Sequence, residues 1–272
     1  GDGNDGTGPD KIIPVKNSQT PIGALPGVVN QQQFQWRTSF PRKSTSFLIV
    51  HETAGHWKGL QSLANFLNSE GLGVHFVVDP DGEVFQTAPV ELGLNHAPPL
   101  NYDSIGLEFA HYSSPYTAKK AKMASRQQYE AGFQLVKKIA NHTSIPYSFP
   151  TANTKKGTFA ISDKAHRWNG VRPGIFPHGS FESTGKQHGD GKSFVLYMAL
   201  RKEGVDSEQA YAILHRVQRE NEGKSFGARV YVNVPELAGK EFERIVDDLS
   251  VKTGLKPSGT VDEKGVLQCG EG

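Results

Sequence analysis

"SFLIVHET", residues 46–53, runs four apolar residues together and then turns polar at His51. A run this short and this apolar reads as a buried strand that delivers His51 at its carboxyl end. Working outward, "DSIGLEFAHY" (103–112) is a second apolar strand, with one acid, Glu108, in its interior. Between them, "GVHFVVDPDGEVFQTAP" (73–89) places two strand-like runs around Pro80-Asp81-Gly82, the chemistry of a tight hairpin turn.

Helical patterns alternate with these strands. "GLQSLANFLNSEG" (59–71) has Leu60, Leu63, Ala64 and Leu67 at helical spacing and Gly71 as a stop. A long helix is expected over 117–143, with Tyr129, Phe133, Val136 and Ile139/Ala140 as its buried stripe, Lys119, Lys120 and Lys122 on its solvated side, and Pro146 and Pro150 beyond its end. Residues 147–172 read as irregular, and "KSFVLYMALRKEG" (192–204) resumes a helical pattern. Alternation of this kind, with 30 glycines and 16 prolines in 272 residues, indicates an α/β protein with long connections.

Three segments follow from texture. Residues 1–33, opening "GDGNDGTGPD", read as a flexible segment, with order beginning near Phe34. Residues 34–204 carry the main domain. Residues 205–272 read as helix, strand and helix, capped by Asp206 or Ser207, and are expected either as a small α/β appendage or as an element packed on the main domain. A start at Gly1 rather than methionine is what removal of a leader or a larger N-terminal part would leave.

Composition excludes several functions. A net charge of +2 and no arginine-rich helix argue against nucleic acid. No apolar run approaches the roughly 18 residues of a membrane span. The one cysteine, Cys269, leaves no internal disulfide.

The residues that could carry chemistry are histidines near strand ends and one buried acid. A hydrolytic zinc site needs about three protein ligands, an open position for water, a proton carrier and a positive group for the developing oxyanion. No HExxH helix is present, so ligands must come from separate elements. His51, His178 and His188 are the candidates, and the last two lie in "PHGSFESTGKQHGDG" (177–191), which taken alone reads more readily as a polar loop with two histidines. Glu108 inside an apolar strand is either a salt-bridge partner or a catalytic group.

Five stretches in order, "FLIVHET", "GVHFVVDPDGEVFQ", "NHA", "SIGLEF" and "PHGS" with "KQH", resemble the zinc-dependent N-acetylmuramoyl-L-alanine amidases of the amidase-2 type, a group that includes phage endolysins and the animal peptidoglycan recognition proteins. The resemblance spans about 45–200. It implies a central mixed β-sheet flanked by helices, with residues 205–272 as a small C-terminal α/β extension. It also implies Zn2+ as cofactor and peptidoglycan as the partner, met outside the cell, in the periplasm or from a phage particle.

Residue by residue, His51 and His178 resemble the first two zinc ligands, and His188 stands in the third slot, where relatives carry Asp or Cys two residues after a lysine. Asp190 is the rival third ligand. Lys186 resembles the oxyanion lysine and Glu108 the acid that handles the water proton. Asn95, His96 and His75 match positions lining the cleft, His75 also fitting a core or ligand-supporting role, and Trp57 is a candidate cleft wall for a sugar face. Many relatives carry a tyrosine where Val74 stands. A non-catalytic peptidoglycan-binding module, or a structural part of a phage or secretion assembly, is the competing expectation.

Overall fold

A computed structural model describes residues 11–15, 24, 25, 27, 30–53, 57–98, 100–111, 123–153, 156–163, 172–180, 191–221, 229–238, 259–261 and 267–269. Its strands are β1 (Asn30–Gln31), β2 (Phe40–Pro41), β3 (Phe47–Glu52), β4 (Phe76–Val78), β5 (Val84–Gln86), β6 (Leu92–Gly93), β7 (Ser104–Phe109), β8 (Ala152–Asn153), β9 (Thr158–Asp163), β10 (Gly174–Pro177), β11 (Arg229–Asn233), β12 (Gly259–Val261) and β13 (Leu267–Cys269). The helices are α1 (Leu60–Ser69), α2 (Arg126–His142), α3 (Lys192–Lys202) and α4 (Ser207–Asn221).

The main sheet has the order β1-β5-β4-β7-β3-β10. β10, β3, β7 and β4 run parallel, and β5 returns antiparallel to β4 through the Pro80-Asp81-Gly82 turn, so the sheet is mixed. In that turn Asp79 Oδ1 accepts the N–H groups of Asp81 and Glu83, a local device that closes the hairpin.

Parity along the strands sorts the core into two faces. Leu48, Val50, Ile105, Leu107, Phe109 and Ile175 point to one face, where they pack with Tyr129, Phe133, Val136 and Ile139 of α2 and with α3. Phe47, Ile49 and Phe176 point to the other and meet Ala97 and Leu100, while Val77 on that face packs under α1. Helix α3 is apolar on every side from Phe194 to Leu200 because the sheet, α2 and α4 enclose it.

The expected α/β architecture with a mixed, helix-flanked sheet is what the structure shows. Two local differences have physical causes. Residues 123–125 are not helical: α2 starts at Arg126 with Ser125 Oγ accepting the Gln128 N–H, so the cap sets the start inside the expected 117–143 span. Lys119, Lys120 and Lys122 lie outside the described residues. Within 147–172, β8 and β9 form a three-stranded antiparallel sheet with β11, an element that local pattern concealed because the central pairing joins residues about 70 apart in the chain.

The chain is also anchored upstream of Phe34. Ile12 is buried beside α1 with its N–H on Asn65 Oδ1, and β1 pairs with β5. The buried Gln86 amide accepts from Leu25 N–H and Gln31 Nε2 and donates to Ala88 O, so buried glutamine bonds hold this segment together with the apolar Ile12 and Leu25.

After Gly204, α4 is capped by Asp206, whose Oδ1 accepts the Gln209 N–H. Ala210, Ile213, Leu214 and Val217 join the same cluster as α2 and α3, as do Val232, Val234 and Leu237. From α4 to Leu237 the C-terminal segment therefore packs on the main domain, while β12 and β13 pair with each other in a separate two-stranded sheet. Pro235–Leu237 is a 3-10 turn, and the helix expected beyond it falls outside the described residues. Arg201 makes a two-pronged pair with Glu130, which also accepts from Tyr197 Oη, tying α2 to α3. These bonds hold the Glu130 carboxyl at about 2 against the opposing effect of its partial burial.

Candidate active site at the carboxyl edge of the sheet

Parallel strands present their carboxyl ends on one edge, and here β3, β7 and β10 do so side by side. His51 is the fifth residue of β3, and its register partner on β7 is Glu108. Register partners share a face, so both project on the side of Ile49 and Phe176, away from α2 and α3. β10 matches Pro177 to Val50, which puts His178, the next residue, level with His51. The His51 and His178 ring centroids are 4.5 Å apart. Two imidazoles and a carboxylate from β3, β7 and the turn that follows β10 are thus gathered, although 57 and 127 residues separate Glu108 and His178 from His51.

A second tier of polar residues lies beside them. His96 Nδ1 stands 2.9 Å from His51 Nε2, and its Nε2 stands 3.1 Å from Ser104 Oγ. Ser104 Oγ donates to Leu100 O at 2.7 Å. The backbone at His96 is held by Asn101 Oδ1, which accepts the N–H groups of His96 and Ala97. Gly106 makes room for the ring, since a Cβ there would stand 3.0 Å from His96 Cγ and Nδ1.

His75 is fully buried, and both its nitrogens are used: Gly106 N–H donates to Nδ1, and Nε2 donates to Leu92 O. Burial drives its imidazole down to about 3, with the Leu92 carbonyl opposing weakly and the Arg42 charge adding to the fall. Burial also pushes His51 and His96 well below the usual histidine range, and their imidazole neighbours push the same way. All three are neutral at pH 7, the state in which an imidazole offers a lone pair.

On the opposite face, Glu52 is buried and accepts the Gly191 N–H. Gly191 begins the turn into α3 with φ +81°, and a Cβ there would stand 2.2 Å from Val50 O. Both described ends of the 181–190 segment, Ser180 after His178 and Gly191, therefore adjoin the His51 edge.

The structure brings together His51, Glu108, His178 and His96 among the expected site residues. His75 is fully buried and pins β7 to β6 through its bonds with Gly106 and Leu92. The polar atoms of His96 are committed to Ser104 and His51, and it too is buried. Asn95 ties its loop to the end of α1 through Gly71 O and to Asn101 Nδ2. Trp57 packs against the α1 cluster. Lys186, His188 and Asp190 lie outside the described residues, and among those described no group of three or more His, Cys, Asp and Glu is arranged to hold a metal ion.

Sequence reasoning missed Ser104, Asn101 and Glu52. Glu52 gave no signal, because it stands in the polar end of "SFLIVHET" rather than inside the apolar run as Glu108 does.

Residues 41–172 match the family of N-acetylmuramoyl-L-alanine amidases, Amidase_2. No curated protein sequence matches the chain. Among solved structures, the chain is similar to the N-acetylmuramoyl-L-alanine amidase LysC from Clostridium intestinale, at 16% identity over 57% of this chain and 85% of that one, with a TM-score of 0.41. It is similar to the Staphylococcus aureus hydrolase AmiA at 12% identity, covering 71% and 85% of the two chains, TM-score 0.40. Drosophila PGRP-LB gives 12% identity, 58% and 82% coverage and a TM-score of 0.36.

Proposed function

Because residues 41–172 match the N-acetylmuramoyl-L-alanine amidase family, we propose that the chain is a zinc-dependent peptidoglycan hydrolase, cleaving the amide between the lactyl group of N-acetylmuramic acid and L-alanine. The observation that carries this reading beyond the family match is the convergence of His51, Glu108 and His178 at one sheet edge. A module that only bound peptidoglycan would have no need to gather two imidazoles and a carboxylate at one sheet edge.

The donor set suits zinc. His51 is held neutral by burial, and His178 presents its ring against it from the turn that follows β10. His188 would be the third ligand, with Asp190 as its rival. Bound there, zinc would supply Lewis-acid polarisation of the scissile carbonyl and lower the pKa of water.

The chain's own residues do the rest. Glu108 takes a proton from the attacking water and returns it to the leaving amine nitrogen of L-alanine, so the C–N bond breaks to a neutral amine. Lys186 stabilises the negative charge that develops on the carbonyl oxygen. Trp57 is a candidate for contact with a sugar face. Such an enzyme works where bacterial wall is exposed: outside the cell, in the periplasm or at a phage particle.

The deciding experiment measures peptide release from purified walls. Release is expected to stop with chelator and return with zinc, and Glu108→Gln is expected to lower it about 10²–10⁴-fold with zinc content unchanged. Release that persists in chelator sinks the zinc assignment, and wild-type protein that binds walls without releasing peptide sinks the hydrolase. Zinc content of His188→Ala beside Asp190→Ala identifies the third ligand.

A further inference from the structure

We propose that Ser104 and His96 are a positioning pair that sets the tautomer of His51, placing its proton on Nε2 and leaving Nδ1 as the nitrogen offered to a divalent cation. The inference rests on the zinc reading for the identity of the cation, while the tautomer itself follows from the protein's own bonds.

The chain of reasoning starts at a carbonyl. Leu100 O only accepts, and it stands 2.7 Å from Ser104 Oγ, too close for two oxygens with no proton between them. The single hydroxyl proton of Ser104 therefore points at Leu100, and Oγ meets His96 Nε2 at 3.1 Å as an acceptor. His96 must carry its proton on Nε2. A neutral imidazole carries only one, so His96 Nδ1 is bare. His51 Nε2, 2.9 Å away, must then be the donor, and its lone pair lies on Nδ1.

The surroundings hold this order in place. Asn101 Oδ1 fixes the backbone of His96 and Ala97, and Gly106 lets the ring lie against β7 between Ser104 and His51. Ser104 and Gly106 are alternate residues of β7, on the same face as Glu108. The serine thus acts on the cation through two imidazoles without touching it, as groups behind a metal ligand commonly do.

The test reads tautomers first. In ¹⁵N-labelled, metal-free protein, long-range ¹H–¹⁵N correlation is expected to show both His51 and His96 protonated on Nε2. Ser104→Ala removes the acceptor, so the His96 tautomer becomes mixed. Zinc affinity, measured by competition with a chromophoric chelator, is then expected to fall about 10–100-fold, while a thermal melt shows the variant folded. A wild-type His51 protonated on Nδ1 overturns the proposal, as does a folded Ser104→Ala variant with unchanged tautomers and unchanged zinc affinity. Tautomers as expected in a protein that releases nothing from walls support the positioning pair and count against the hydrolase reading instead.

Discussion

His75 makes the protein sensitive to mild acid in a way that can be assigned to one side chain. In the unfolded chain its imidazole protonates near 6.5, whereas in the fold it stays neutral down to about 3. Between those values the unfolded state binds the extra proton, so the stability it contributes is complete above pH 6.5 and is lost as pH falls. Each pH unit in the window is worth about 1.4 kcal/mol. At pH 5, one and a half units below the unfolded value, His75 alone accounts for a loss of about 2 kcal/mol, a large fraction of an ordinary domain's stability. His51 and His96 shift in the same direction and steepen the wild-type profile. The perturbation that isolates His75 is His75→Gln, which keeps a donor and an acceptor for Leu92 and Gly106 but does not titrate. Urea unfolding at pH 7.5 and pH 5 gives a double difference in which the other groups cancel. The variant is expected to be less stable than wild type at pH 7.5 and to have recovered about 2 kcal/mol of that deficit at pH 5. An equal deficit at both pH values refutes the reasoning, and so does a His75 proton resonance that titrates near 6.5 in the folded protein.

Gly106→Ala is expected to displace the His96 ring by a few tenths of an ångström and to weaken zinc binding more than folding; a variant with wild-type zinc affinity would show that the ring has room. Gly191→Ala combines a left-handed backbone with a Cβ at 2.2 Å from Val50 O, so a loss of at least about 2 kcal/mol is expected in urea unfolding, against well under 1 kcal/mol if the turn simply relaxes. Gln86→Leu leaves the Leu25 N–H and Ala88 O without their buried partner, at about 1–3 kcal/mol for each group left unsatisfied. Limited proteolysis upstream of Asn30 is expected to accelerate in that variant, and an unchanged cleavage rate would mean that β1 and Ile12 hold the segment without Gln86.

The site was only partly legible because its two kinds of residue leave different traces. Ligand-type histidines and a lone acid in an apolar strand stand out chemically, so His51, His178 and Glu108 could be named as candidates. Ser104 and Asn101 are ordinary residues in "NYDSIG", and their importance comes from what lies opposite them. The reverse holds for His75 and Asn95, which look available in sequence but have their polar groups bonded within the fold.

By itself the sequence determined the strands, helices and hairpin around "SFLIVHET", because apolar period and turn chemistry act over a few residues. β3, α1, the β4–β5 turn, β7 and α3 all lie where those local signals put them. Tertiary structure alone decided what is adjacent. Parallel register set Glu108 beside His51 and carried His178 level with it, and the pairing of β9 with β11 closed a sheet that neither segment announces. The N-terminal strand and the neutral state of the histidines likewise depend on burial by distant residues. Proximity between groups more than 50 residues apart depends on how the whole chain packs, and no local pattern encodes it.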